Sequence, residues 1–196
     1  MSVSPAAVTP LSVKVKVTLL AVSAVLLFIV PAQAVSDSAS ADAHRKGSGF
    51  GIGLSIARSI AEGHHGSIKV KKGTTGVTLV LDGLTLTSEN TAAITCGKSS
   101  EVTILVSNGT ENSLSDTEQN NDDNYPENEN AENAVIKCKD GSLVTLCGDG
   151  ELTITANGKN GIKSGATTDE DGEALLTIRD LTLNIDEPVN DAINAE

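Results

Sequence analysis

The feature that most constrains this chain is a short phrase repeated through its C-terminal half: a polar residue, one or two small residues, then Ile. It occurs as Thr91-Ala92-Ala93-Ile94, Asn133-Ala134-Val135-Ile136, Asn160-Gly161-Ile162 and Asp191-Ala192-Ile193, at intervals of 26 to 42 residues. A run of alternating Val, Leu, Ile and Thr precedes each copy. A fixed phrase whose variable spacing is absorbed by loops is the signature of a solenoid. Each copy then forms one coil, which buries its apolar face only when a neighbour stacks on it.

Aligned on the phrase, the chain divides into four coils of three short strands. Coil one is 77–82, 84–87 and 92–96, and coil two is 102–106, 112–115 and 134–138. Coil three is 143–147, 152–155 and 161–163, and coil four is 175–179, 181–185 and 192–195. Several of these strands alternate with period two, as half-buried strands do. Gly83, Gly109, Gly150 and Asp180 fall at the first corner of each coil, where a tight bend favours a permissive backbone. Asn and Asp ahead of the third strand suit left-handed corner geometry. The expected fold is all-β, a right-handed parallel β-helix, preceded by an N-terminal apolar helix and a short α-helical fragment. The rival is a β-sandwich of hairpins, for which Asn108-Gly109 and Asn157-Gly158 supply the turn signal.

Charge separates the halves. Residues 1–76 hold eight Lys/Arg and three Asp/Glu, a balance of +5, whereas residues 77–196 hold six and 23, a balance of −17. An acidic half argues against nucleic acid, whose phosphates need basic partners. It favours cations, or a polyanion held through a bridging cation. The only aromatics are Phe28, Phe50 and Tyr125. A flat aromatic platform for sugar rings is therefore excluded.

Val17–Val30 is an uncharged apolar run of 14 residues behind Lys14 and Lys16, and Ala32-Gln33-Ala34 follows it in the pattern of a cleavage site. The run is short for a membrane span, which takes about 20 residues. Residues 1–34 read as a signal peptide or a retained membrane anchor. Either sends the rest of the chain out of the cytoplasm, as a secreted or surface-tethered protein.

Residues 47–68, GSGFGIGLSIARSIAEGHHGSI, place Gly49, Gly51 and Gly53 ahead of an apolar helical stripe of Leu54, Ile56, Ala57, Ile60 and Ala61. Glycines before a helix N-terminus suit a phosphate. The string resembles the last glycine box of the ATP-binding domain of sensor histidine kinases, and residues 11–28 are similar to a first membrane helix of such kinases. The resemblance implies that Gly49, Gly51 and Gly53 are a vestigial phosphate loop, within a remnant at 35–72. The magnesium-holding Asn helix, the adenine-reading box and the phosphoacceptor His are missing, so kinase activity is not expected. His64-His65 reads as a solvated helix end rather than a metal pair.

Residues 77–196 resemble a bacterial family of secreted carbohydrate-binding β-helix proteins with pectate-lyase-like architecture. The runs VTLVLDGLTLTSENTAAI, VTILVSNGTENSLSD and NAVIKCKDGSLVTLCGDGELTITANGKNGIKS carry the likeness. It implies non-catalytic binding of acidic plant-wall polysaccharide, associated with calcium, over several stacked coils.

Within that frame, the insertion at 115–133 carries Asp116, Glu118, Asp122, Asp123, Glu127, Glu129 and Glu132 with no Lys or Arg. Calcium takes six to eight oxygen ligands, so Asp116, Glu118, Asp122, Asp123 and Glu127 are the candidate metal ligands. The alternative is a solvated, disordered loop. Tyr125 is the aromatic available there to pack on a sugar. Asp169-Glu170-Asp171-Gly172-Glu173 forms a second acidic loop. Lys137 and Lys163 each follow the Ile of their phrase and are candidate contacts to uronate carboxylates, with ordinary surface lysines as the alternative. Pectate lyases use a basic residue, usually Arg, for proton removal. Arg179 is the only Arg of this half, and no catalytic residue is assigned. Cys96 and Cys138 both lie two residues past the phrase Ile. Stacked coils would hold them about 4.8 Å apart, open to a disulfide or to a ladder of small inward residues.

Overall fold

The computed structural model describes residues 16–17, 28–30, 66–186 and 188–195. Fifteen strands are present: β1 Lys16–Val17, β2 Phe28–Val30, β3 Ser67–Val70, β4 Val77–Leu81, β5 Thr85–Thr87, β6 Ile94–Cys96, β7 Glu101–Val106 and β8 Glu111–Ser115 come first. β9 Ala134–Cys138, β10 Leu143–Gly148, β11 Glu151–Thr155, β12 Asn160–Lys163, β13 Leu175–Arg179, β14 Thr182–Asp186 and β15 Ile193–Asn194 complete them. No helix occurs among the described residues.

The strands form three sheets in the orders β1-β4-β7-β10-β13, β14-β11-β8-β5 and β15-β12-β9-β6-β3-β2. From β3 onward every strand-to-strand pairing is parallel, and each strand pairs with its counterpart one repeat away. The chain thus visits the three sheets in one fixed order, coil after coil. Hairpin pairing would be antiparallel, so the sandwich is overturned. Asn108-Gly109 turns a corner between sheets instead of reversing a strand.

Like residues stack on like. The phrase Ile residues make a ladder, Ile68–Ile94–Ile136–Ile162–Ile193. Leu79–Ile104–Leu146–Ile178 and Leu86–Leu114–Ile154–Ile185 run beside it on the other two sheets. Side chains of the first three coils in these ladders are fully buried. The coil-four members Ile178 and Ile185 are only partly buried, and Leu175 and Ile193 are exposed. Each ladder side chain stabilises by the apolar area that its neighbours remove from water, about 25 cal/mol per Å².

The first sheet strand of the stack lies earlier than the sequence suggests. Ser67–Val70 pairs in parallel with β6, so the β region begins before residue 77 and takes in the end of the segment read as a kinase remnant. Two inward residues, Ile68 and Val70, are too few to reveal a period against the flanking Gly and Lys. The expected apolar helix at 17–30 is described only at its ends, Lys16–Val17 and Phe28–Val30, which are β-paired; its middle and the fragment at 47–65 lie outside the described residues.

The first corner behaves as expected in three coils: Gly83 and Gly109 have φ of 70° and Asp180 has 57°. In coil three Gly148 takes the positive φ in place of Gly150. Gly150 is required for space, since a Cβ there would lie 2.2 Å from the Ser107 carbonyl oxygen. Ahead of the third strand only Asn133 is left-handed, with φ of 61°. Cys96 and Cys138 are register partners. They are buried free thiols, as is Cys147, and no disulfide joins them. The Cys96 thiol is pushed up, first by its hydrogen bond with Cys138 and then by burial.

Candidate functional site

The third sheet organises the basic residues. In β3, β6, β9 and β12 the Ile points inward, so the next residue points outward. Register then aligns Lys69, Thr95, Lys137, Lys163 and Asn194 in one row along the stack. Nine Lys/Arg lie between residues 66 and 186, and seven of them (Lys69, Lys71, Lys72, Lys98, Lys137, Lys139 and Lys163) belong to this sheet or to the segments directly after its strands. Most of the positive charge of this acidic region therefore lies on the third sheet or just past its strands. Lys137 and Lys163, proposed from sequence, are brought side by side on adjacent strands. Lys69 completes the row and was missed, because β3 itself was missed.

Three carboxylates hold four of these lysines. Glu132, whose side chain is 11% exposed, lies 2.7 Å from Lys139 Nζ and 3.7 Å from Lys69 Nζ. It thus joins residues on either side of β6. Asp171 receives Lys72 and Lys98, both at 2.9 Å, and Lys98 also reaches Asp140 at 2.9 Å. The Lys98 ammonium beside Asp171 and Asp140 draws both carboxyls below the usual carboxylate range. Those same two acids raise Lys98. The Asp171 loop is further tied by a bond from Ser99 Oγ to its carbonyl at 2.8 Å.

The acidic connection at 116–133 sits at the corner between the second and third sheets, and its first residues are folded against the stack rather than solvated. Asp116, Asn120 and Asn121 are buried. Asp116 Oδ1 accepts from the backbone N–H groups of Asn157 at 2.8 Å and Gly158 at 3.0 Å, and Oδ2 accepts from Asn120 Nδ2 at 2.8 Å. A side chain at Gly158 would come within 2.8 Å of Asp116 Oδ2, so glycine is what admits the carboxylate. Burial pushes Asp116 up, and the bonds from Asn120, Gly158 and Asn157 oppose that shift. Asn120 donates to Ala134 O at 2.9 Å and accepts from the N–H of Glu132 at 2.7 Å and Asn133 at 3.2 Å. Asn128 donates to Asn90 O and Gln119 O. Asparagine amides replace backbone partners where the ladder is interrupted, so the buried polar groups stay paired.

The candidate metal ligands do not converge. Asp116 is committed to N–H donors, which a cation would displace. Glu118 receives the Tyr125 hydroxyl, whose pKa is raised by that bond. Asp122 and Asp123 face Lys159, and that lysine bonds Asp123. Among the described residues no three His, Cys, Asp or Glu side chains are grouped to hold a metal. Tyr125 is half-buried with its hydroxyl engaged. Gly49, Gly51 and Gly53 lie outside the described residues. Among the described residues no helix is long and apolar enough to cross a membrane.

A family model described as carbohydrate-binding domain-containing protein matches residues 61–196. The chain belongs to this family. The match spans all the parallel strands and both acidic loops, and it places the lysine row inside a carbohydrate-binding domain. No curated protein and no solved structure matches the chain.

Proposed function

We propose that this domain binds an acidic, pectin-like polysaccharide without cleaving it, and that the lysine face of the third sheet is the contact surface. The observation that carries the reading is the register row Lys69–Thr95–Lys137–Lys163–Asn194. A carbohydrate-binding domain poor in aromatics must grip sugars through polar groups, and ammonium groups on one face select carboxylates. Arg179 supports the absence of cleavage, since its guanidinium is exposed and paired with its neighbour Asp180 at 2.6 Å, remote in register from the lysine row. The same reading has the stack wind right-handed, the sense that crossovers between parallel strands overwhelmingly take. It also has the apolar leader direct the domain to the cell exterior or surface.

Retention on immobilised polygalacturonate, with and without a chelator, tests this. Retention is expected in both conditions, because Asp116, Glu118, Asp123 and Glu132 of the connection already have partners. Loss on chelation would restore a calcium-bridged mode through Glu118, Asp122, Asp123 and Glu127. No retention in either condition would reject the reading.

A further inference from the structure

We infer that the bound polyuronate runs along the stack, across the strands, with one sugar residue per coil. This rests on the reading just given and adds the direction, length and register of the ligand. The row Lys69–Thr95–Lys137–Lys163–Asn194 advances one strand at a time. Strand spacing is close to the advance of one sugar in an extended linked chain. Five levels separated by four spacings span about 19 Å, room for about five sugars at about 4.8 Å each.

The chemistry along the row is uneven in a way that orients the ligand. Lys137 and Lys163 sit at adjacent levels, and Lys69 stands two levels before Lys137 with its side chain 48% exposed. Between them Thr95 is buried. At that level the chain supplies its own carboxylate, since Glu132 reaches Lys69 on one side and Lys139 on the other. Glu132 shows that a carboxylate fits between lysines of this face, and it disfavours a second one beside it. The row therefore takes uronate carboxylates at the levels of β3, β9 and β12, and at β6, where Thr95 is covered, the sugar makes no direct contact with the row. A chain laid along β9 would instead meet Lys137 and leave Lys69 and Lys163, which lie on other strands, out of reach.

The test is a length series of oligogalacturonates titrated into the full chain by calorimetry. Affinity is expected to rise with each sugar up to about five and then to level off. In Lys69→Ala the plateau is expected to shorten to about three sugars, the levels of β9, β12 and β15. Lys137→Ala and Lys163→Ala should each weaken long oligomers about fivefold, or about 1 kcal/mol, without moving the plateau as Lys69→Ala does. Arg179→Gln, on another sheet, should change nothing. Affinity that grows steadily with length, or a plateau that Lys69→Ala leaves in place, would overturn the axial arrangement while leaving polyuronate binding intact. Equal binding of polyglutamate of matched length would also overturn it, by marking the face as a general polyanion patch. Failure of every uronate to bind would remove both this inference and the reading beneath it.

Discussion

The molecule carries two acidic connections that look alike in sequence and are built on opposite physics. The buried start of 116–133 is locked by dipoles: Asp116 is buried, its carboxyl is pushed up, and its partners are two backbone N–H groups and an asparagine amide. The loop around Asp171 is locked by charges: Lys72 and Lys98 grip that carboxylate and draw it down. Acidic composition therefore says little about what an acid does. The partner decides, and the partner is supplied by other coils.

The largest effect is expected where the acid is most enclosed. Asp116→Ala removes three hydrogen bonds and leaves buried donors unpaired, a loss of about 2–3 kcal/mol seen as a lowered urea midpoint. Asn120→Ala comes next. It strips the partners of Glu132 N, Asn133 N and Ala134 O, and about 1–3 kcal/mol is expected from the same measurement. Asp171→Asn should cost less than either, because its lysines are 61% and 42% exposed in their side chains and water screens such pairs. Added salt should narrow the gap between the Asp171 variant and the parent protein and leave the Asp116 deficit unchanged. Equal salt sensitivity of the two would break the comparison.

The smallest and most discriminating effect lies in pH dependence. Asp171 and Asp140 have folded pKa values below their unfolded ones. Their contribution is present above the usual carboxylate range, near pH 4, and is lost as pH falls through the folded values. Asp116 is shifted the other way. The folded state binds its proton more tightly, so this group favours folding as pH falls from its raised value toward about 4. Chemical denaturation across pH should show a shallower acid limb below about pH 4 in Asp171→Asn. In Asp116→Ala the change should appear above that pH. Both variants altering the same window would contradict the opposed shifts.

Much of the stack was legible in the residues. Period-two aliphatics and the Ile phrase locate β4 to β15 within a residue or two, because a coil that must bury one face repeats its inward positions. β3 escaped notice because Ile68 and Val70 offer a single period between Gly66 and Lys71. The hairpin signal of Asn108-Gly109, which pointed to the rival sandwich, has a related explanation: a left-handed residue turns a corner as readily as it reverses a strand. In the site, Lys137 and Lys163 were readable because both follow the phrase, whereas Glu132 appeared as one acid among many.

By itself the amino-acid sequence determined the coil, its inward ladders and the segregation of charge, since all three follow from local alternation and composition. The tertiary structure alone decided which charges meet. Lys72 and Lys98 reach Asp171 across 99 and 73 residues of chain, and Asp116 finds Gly158 across 42. Contacts between coils depend on stacking register and on how each connection folds back, and neither is written in a local pattern.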